Sequence, residues 1–169
     1  MLFEKIIRYF HAKRRAVVYE KFDRVLPFGD YVSDRWEKAK FLHFGENSSI
    51  YDSSLVFGRV SVGRDVWIGP FTLIDGSGGL VEIGDHCHIS AGVQIYTHDT
   101  VDVVLHDGKI TKAPVTIGSR CYFGPGTIIA KGVTIGSNVV VGANSFINKD
   151  VPSNVKGHGT PFRVVSEVV

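Results

Sequence analysis

The chain has 169 residues, with 44% apolar and 21% charged side chains, which suits one domain with a sizeable core. Its net charge of +2 is too close to balance to favour nucleic acid as a partner of the whole chain. It contains no long uncharged apolar run of the secretory or transmembrane kind, so we expect a cytoplasmic protein.

Residues 1–43 form the first predicted segment, a short helical region that lies outside the pattern that follows. Apolar residues recur there at roughly helical spacing from Leu2 to Phe10, and residues 1–21 carry six basic side chains against two acidic ones. One interpretation is a cap on the open end of a repeat structure. The other is an arm in weak peripheral contact with an anionic membrane surface through residues 1–21. A second short helix is predicted near residues 33–42.

Residues 44–152 follow a six-residue period. The periodic positions hold bulky apolar residues, small residues often come next, and small or β-branched residues come four places later. The periodic residues are Phe44, Ile50, Val56, Val62, Ile68, Ile74, Ile83, Ile89, Ile95, Ile117, Phe123, Ile129, Ile135, Val141 and Ile147. This period fits neither an α-helix nor a simple strand, and it predicts an all-β solenoid, a parallel β-helix of about five coils. Residues 153–169 form a predicted C-terminal tail.

Two insertions break the period. One adds three residues around residues 76–79, and the other adds sixteen after Ile95, giving an inserted loop at residues 98–114. Without the longer insertion, Cys87 and Cys121 are eighteen residues apart, so we expect them to stack, reduced and buried, in neighbouring coils.

The longer insertion begins with His98, which follows the last in-register residue by three positions. A long loop anchored on a rigid coil is a common place for function. Histidine suits the removal of a proton from a hydroxyl at neutral pH. We predict that Asp99 either orients this imidazole or binds the molecule whose hydroxyl loses the proton, the acceptor. We predict that Asp75, on the shorter insertion, contacts that acceptor hydroxyl. His106 is a weaker rival base.

The run IGSRCYFGPGTIIAKGVTIGSNVVVGANSFINKDVPSN, with the period from Phe44 onward, resembles the hexapeptide-repeat acyltransferases. The resemblance implies a left-handed helix, a homotrimer with active sites between subunits, and acetyl-CoA as acyl donor. Relatives place a catalytic histidine at the start of such a loop, ahead of a segment that matches residues 114–118 here. The resemblance therefore assigns catalysis to His98.

The same resemblance implies a coenzyme A path along the C-terminal coils. The positions that match it are Pro125, Ala143, Asn148, Lys149 and Arg163, with the two basic residues facing the phosphates. The run GPFTLIDGSGGL…SAGVQIYTHDT looks most like enzymes that decorate sugars of bacterial surface polysaccharides, such as lipopolysaccharide O-antigen or capsule. We therefore expect an acetyl-CoA-dependent O-acetyltransferase with a sugar, or a nucleotide- or lipid-linked sugar, as acceptor.

Three alternatives compete with O-acetylation. The same base could serve an amino sugar, giving an N-acetyltransferase, and nothing in the hexapeptides excludes an idle scaffold subunit. A zinc enzyme needs three converging histidines. The cluster His86-Cys87-His88 offers two on one strand face, with Cys87 pointing inward. No third histidine follows at a suitable position, so we expect no metal.

Overall fold

The computed structural model describes residues 2–168, which form four helices and sixteen strands within that range. The helices are α1 (Leu2–Phe22), α2 (Phe28–Val32), α3 (Arg35–Phe41) and α4 (Val101–His106). The first eight strands are β1 (Ser49–Ile50), β2 (Leu55–Val62), β3 (Trp67–Ile68), β4 (Leu73–Ile83), β5 (His88–Ile89), β6 (Gln94–Tyr96), β7 (His98–Asp99) and β8 (Thr111–Lys112). The last eight are β9 (Val115–Ile117), β10 (Tyr122–Phe123), β11 (Ile128–Ile129), β12 (Thr134–Ile135), β13 (Val140–Val141), β14 (Phe146–Ile147), β15 (Val155–His158) and β16 (Arg163–Glu167).

The short strands stack in parallel at the spacing that the repeat predicts. Ser49 pairs with Trp67 and Tyr122 with Val140, each eighteen residues later. Where an insertion intervenes the separation grows by its length, so that His88 pairs with Tyr122. One seven-stranded sheet has the order β1-β3-β5-β10-β13-β15-β16, and only its last pair is antiparallel. The sequence prediction of stacked parallel strands is thus confirmed.

The periodic apolar residues form one continuous buried core. Of these positions only Val56 remains partly exposed, and most of the rest are at or near zero exposure. Cys87 and Cys121 belong to this core and stack as predicted, with the backbone N–H of Cys121 donating to the Cys87 sulfur at 3.5 Å. Burial of these side chains in successive layers supplies the main stabilisation of the fold.

One corner of the stack is a column of residues with left-handed backbone, including Asn47, Asp65, His86, Asn138 and Asn154. Asparagine and aspartate tolerate this conformation better than most residues. Their side chains also link neighbouring layers, as in the hydrogen bond from Asn47 to Asp65 at 3.1 Å. His86 belongs to this column, with its Nδ1 at 3.5 Å from an Asp65 oxygen.

Helix α3 packs against the first layer of the stack. Asp34 caps α3 by accepting from the backbone N–H groups of Trp36 and Glu37, and Ala39 joins the buried core. The ammonium of Lys38 donates to the carbonyls of residues 51, 52 and 54 at 3.1, 2.9 and 2.8 Å. Burial lowers the pKa of Lys38, while nearby carboxylates oppose that shift.

Helix α1 is longer than the apolar stretch seen in the sequence. It continues to Phe22, well past the predicted apolar stretch, and none of its residues is buried. It contacts α2 through the rings of His11 and Tyr31, whose centroids are 5.3 Å apart. The helix that contributes a residue to the buried core is therefore α3, and a capping role for α1 stays a prediction.

Candidate functional site

The short insertion in β4 supports the segment that carries His98. It extends β4 past Ile74, and the strand pairs Asp75 with Tyr96 of the next coil. Thr97, fully buried, donates from Oγ1 to the carbonyl of Asp75 at 2.6 Å and accepts from the Gly78 N–H at 2.9 Å. These bonds fix the backbone immediately before His98.

Gly78 is required by a close approach. A Cβ at this position would lie 2.4 Å from the Thr97 carbonyl oxygen and 2.6 Å from the His98 Cβ. Distances this short force backbone or side chain to move. The absence of a side chain at residue 78 therefore lets β4 and His98 lie against each other.

His98 lies beside the carboxylate of Asp75. Its Nδ1 is 3.3 Å from Asp75 Oδ2, and Asp75 is only 6% exposed. The other oxygen, Oδ1, accepts from the backbone N–H of Ser77 at 2.9 Å and from the Ser77 hydroxyl. The His98–Asp75 contact is at ion-pair distance, yet Nδ1 lacks hydrogen-bond geometry with any described residue. Because Nδ1 is buried and 31% of the side chain is exposed, Nε2 is the nitrogen left for a ligand.

A groove of about 420 Å³ opens in front of His98. Its walls come from three successive layers of the stack and mix aromatic, aliphatic and polar groups. The lining residues are Tyr96, His98, Asp99, Ile128, Ala130, Lys131, Phe146 and Asn148. Such a mostly apolar cleft with a few converging polar groups is typical of small-molecule sites.

Asp99 lies in the same groove with its carboxylate fully engaged. Oδ2 is 2.6 Å from the Lys131 ammonium, while Oδ1 accepts from the Val101 N–H at 3.1 Å and the Thr111 hydroxyl at 2.9 Å. The hydrogen bond from Lys131, followed by those from Val101 and Thr111, lowers the pKa of Asp99 to about 2. Its contacts tie together both strands of the β7–β8 hairpin and the body of the stack. Acceptor binding by Asp99 stays a prediction.

The five residues predicted along the coenzyme A path lie in three separate places. Pro125 and Ala143 are eighteen residues apart at one corner, where the Pro125 carbonyl accepts from the N–H of Asn144 at 2.9 Å. Asn148 lines the groove beside His98, and Lys149 follows it on the surface. Arg163 begins β16, the strand that returns antiparallel to β15. Only Asn148 shares the groove with the histidine.

Lys131 is a groove residue that the sequence prediction missed. It precedes Lys149 by eighteen residues, so the period places the two lysines in neighbouring layers at the same corner. That spacing could have indicated that Lys131 lies near the predicted site. The pairing of Lys131 with Asp99 could not be predicted, because it depends on the path of the inserted loop. Thr97 and Ser77 were missed as well, because their roles are hydrogen bonds that no pattern records.

A second cavity, of about 280 Å³, lies among α1, α2, α3 and Tyr51. It contains none of the predicted site residues. Two of its basic residues, Arg24 and Arg35, donate to the Tyr51 hydroxyl at 3.3 and 3.2 Å. These hydrogen bonds connect the N-terminal helical region to the first layer of the stack. The groove at His98 is therefore the candidate site. Within residues 2–168, no group of three histidine, cysteine, aspartate or glutamate side chains is placed to hold a metal ion.

Comparison with protein families gives two matches within the repeat. Residues 59–97 match the hexapeptide repeat of succinyl-transferase, and residues 102–149 match the bacterial transferase hexapeptide of six repeats. The first match ends just after β6, and the second begins in α4 of the inserted loop and continues through β14.

Curated relatives include sugar acetyltransferases. A galactoside O-acetyltransferase of Escherichia coli (strain K12) is 32% identical over 78% of this chain and 66% of its own length. A putative colanic acid biosynthesis acetyltransferase, WcaF, of the same strain is 33% identical over 66% of this chain and 60% of its own length. A galactoside O-acetyltransferase of Lactococcus lactis subsp. lactis (strain IL1403) is 30% identical over 90% of this chain and 75% of its own length. The first two alignments thus span somewhat less than two thirds of those relatives.

Solved structures give the same fold. A maltose O-acetyltransferase from Clostridium difficile 630 superposes with a TM-score of 0.58 at 30% identity, covering 97% of this chain and 89% of that one. AntD, an N-acyltransferase from Bacillus cereus in complex with dTDP and 3-hydroxybutyryl-CoA, superposes with a TM-score of 0.66 at 22% identity, covering 75% and 72%. With the repeat, the stacked strands and these relatives in agreement, the chain belongs to the hexapeptide-repeat acyltransferase family.

Proposed function

We propose that this protein is an acetyl-CoA-dependent O-acetyltransferase that modifies a sugar hydroxyl in surface polysaccharide synthesis, with His98 as general base. The observation that carries the proposal is the contact between His98, which lines the groove, and the buried Asp75, with Nδ1 and Oδ2 3.3 Å apart. Names of relatives support the sugar and polysaccharide parts, since they include galactoside O-acetyltransferases and WcaF.

In the proposed reaction Nε2 of His98 accepts the proton of the acceptor hydroxyl as its oxygen attacks the thioester carbonyl. The new C–O bond forms a tetrahedral oxyanion, which backbone N–H groups at a coil corner are suited to stabilise. The C–S bond then breaks, and the coenzyme A sulfur takes the proton from the imidazolium. Because an alcohol is a very weak acid, this proton transfer is the step that most needs the protein.

The attack is direct, without an acyl-enzyme. Both cysteines are almost fully buried in the core. The hydrogen bond with Cys87 and burial raise the pKa of the Cys121 thiol, so this group does not supply a nucleophilic thiolate. The acyl group therefore passes from coenzyme A to the acceptor in one displacement.

Assembly and donor binding belong to the same proposal. We expect a left-handed β-helix that forms a homotrimer, with the groove completed by a neighbouring subunit. Pro125, Ala143 and Asn148 are expected to contact the pantetheine arm, and Lys149 and Arg163 the phosphates, where exposed cations suit anionic groups. Asn148, which lines the groove, supports a donor path that ends near His98.

A second candidate is acylation of an amino sugar. AntD, described as an N-acyltransferase, supports it, and the same base would deprotonate an ammonium or assist an amine. An acceptor screen that follows release of the coenzyme A thiol separates the candidates. Turnover with hydroxyl sugars supports O-acetylation and turnover only with amino sugars supports the alternative. No thiol release with any acceptor would leave a scaffold subunit.

The base is tested by His98→Ala. Because general-base catalysis contributes roughly 10²–10⁴ in rate, we expect turnover to fall by about that factor with coenzyme A affinity nearly unchanged. His106→Ala is the matched control, since His106 lies on the same loop, is largely exposed and pairs with Asp102 at 3.1 Å. Steady-state kinetics and calorimetric coenzyme A binding give the answer. Wild-type turnover in His98→Ala, or its loss in His106→Ala, would overturn the assignment.

A further inference from the structure

Helix α1 has two distinct arcs on its surface. A rotation of about 100° per residue brings Leu2, Phe3, Ile6, Phe10 and Val17 within one arc. These side chains are 46–75% exposed. The neighbouring arc contains His11 and Val18, which are the only half-buried residues within Leu2–Phe22. The apolar arc therefore has no partner among the described residues of the chain.

The neighbouring arc is the one that holds α1 to the rest of the protein. The His11 ring packs 5.1 Å from the Phe28 ring and 5.3 Å from the Tyr31 ring, measured between centroids. Arg14 donates from Nε to the Tyr31 carbonyl at 3.2 Å. Since these contacts orient α1, they also fix the direction in which the apolar arc faces, which is away from α2.

Charge selects the partner that fits this apolar arc. Lys5, Lys13 and Lys21 lie within or beside the arc, and residues 1–21 have six basic side chains against two acidic ones, a net +4. The whole chain has a net charge of +2, so the remaining residues carry a net −2 spread over a much larger surface. A second α1 would bring like charges together, whereas an anionic surface complements both the lysines and the apolar side chains.

We propose that α1 lies on an anionic lipid bilayer, with Leu2, Phe3, Ile6, Phe10 and Val17 inserted at the headgroup boundary. Helices that lie at a membrane interface typically have phenylalanine and leucine on the apolar side and lysine at the edges of that side. Their lysine side chains reach the lipid headgroups. Helix α1 lies along the surface and does not cross it. In residues 2–168 no helix has both the length and the apolarity that crossing a bilayer demands.

Co-sedimentation of the full chain with vesicles tests this placement independently of any activity. We expect binding to vesicles of equal parts phosphatidylglycerol and phosphatidylethanolamine, and little binding to phosphatidylcholine vesicles. Removing Lys5, Lys13 and Lys21 together as glutamines should lower partitioning by about fivefold per lysine, or roughly 10²-fold in all. About 1 M salt, with a Debye length of about 3 Å, should weaken binding in the same direction.

The apolar contribution is tested by Phe3→Ser/Ile6→Ser/Phe10→Ser. These residues are not buried, so the stacked strands should keep their thermal stability while vesicle binding is lost. The matched control is Phe41→Ser/Val104→Ser/Val165→Ser, three apolar residues that are 80%, 76% and 61% exposed elsewhere in the molecule, and it should bind like the wild type. Absence of wild-type binding, unchanged binding of the α1 variant, or a smaller oligomer in that variant would each overturn the proposal. The last outcome would show that a second copy covers this arc.

Discussion

At the scale of single residues, the candidate site depends on one carboxylate whose two oxygens have different partners. Asp75 Oδ1 is held by Ser77, which leaves Oδ2 facing Nδ1 of His98 at 3.3 Å. A carboxylate at that place favours the tautomer with the proton on Nδ1, so that Nε2 presents its lone pair to the groove. We therefore propose that Asp75 positions His98, in addition to its predicted contact with an acceptor.

Asp75→Asn tests this positioning role. We expect kcat to fall by roughly 10²-fold with little change in coenzyme A affinity. The expected loss is smaller than the roughly 10⁴-fold effect of a triad aspartate, because the Asp75–His98 contact lacks linear hydrogen-bond geometry. Ser77→Ala is the control. It removes one contact to Oδ1 and should lower kcat by no more than about tenfold, the effect of a single hydrogen bond. Equal losses in the two variants would argue that the local fold matters and the charge does not.

The sequence placed His98 and Asp75 in the same site for different reasons. The break in the period marks His98, and the three-residue excess marks the segment with Asp75. Their direct contact could not be predicted, since it depends on the pairing of Asp75 with Tyr96 and on the close approach of Gly78 to His98. Side-chain direction at an insertion does not follow from the period that surrounds it.

At the scale of elements, the inserted loop has its own structure. It consists of the β7–β8 hairpin, in which His98 pairs with Lys112 and Asp99 with Thr111, and of the short helix α4 between the two strands. Asp99 connects the hairpin to Lys131 of the stack at 2.6 Å. The length of the insertion was legible from the sequence, but its hairpin was not, because the residues of β7 and β8 show no alternating pattern.

Asp99→Asn tests whether this connection holds the loop. The folded-state pKa of Asp99 is lowered from 3.8 to about 2, so its stabilising effect is fully present above about pH 4. The effect is lost as the pH falls through the folded value near 2. We therefore expect the variant to melt at a lower temperature than the wild type at neutral pH, and the difference to shrink as the pH falls below 4.

The matched control for the loop is Asp107→Asn. Asp107 is on the same loop, and its left-handed backbone, with φ of 51°, accommodates asparagine. The test measures the melting temperatures of both variants from pH 7 down to the lowest pH at which the protein stays folded. It also measures kcat of both variants at neutral pH. A difference for Asp99→Asn that does not change with pH would mean that its carboxylate charge has no part in anchoring the loop.

At the scale of the whole molecule, the repeat made the stacked strands predictable, whereas the sequence predicted only short helices at the N-terminal end and only a tail at the C-terminal end. Each periodic residue packs in the same way in its own layer. A short sequence pattern therefore predicts all the layers from Phe44 to Ile147. The end elements solve problems that occur once. Helix α3 closes the first layer, and β15 adds a strand beside β13 before β16 returns along it. No repeated signal exists for such elements.

The same logic yields a prediction about stability, using two adjacent isoleucines of β11. Ile129 points into the stack with no exposure, while Ile128 faces outward into the groove. Ile129→Ala leaves a cavity between layers and should lower the free energy of unfolding by about 2–5 kcal/mol. Ile128→Ala removes the same atoms from a half-exposed place and should cost about 1 kcal/mol or less. Denaturant unfolding at one fixed protein concentration, with the oligomer mass measured alongside, compares them. Similar losses without a change in mass would mean that burial in the stack does not dominate the stability of this protein.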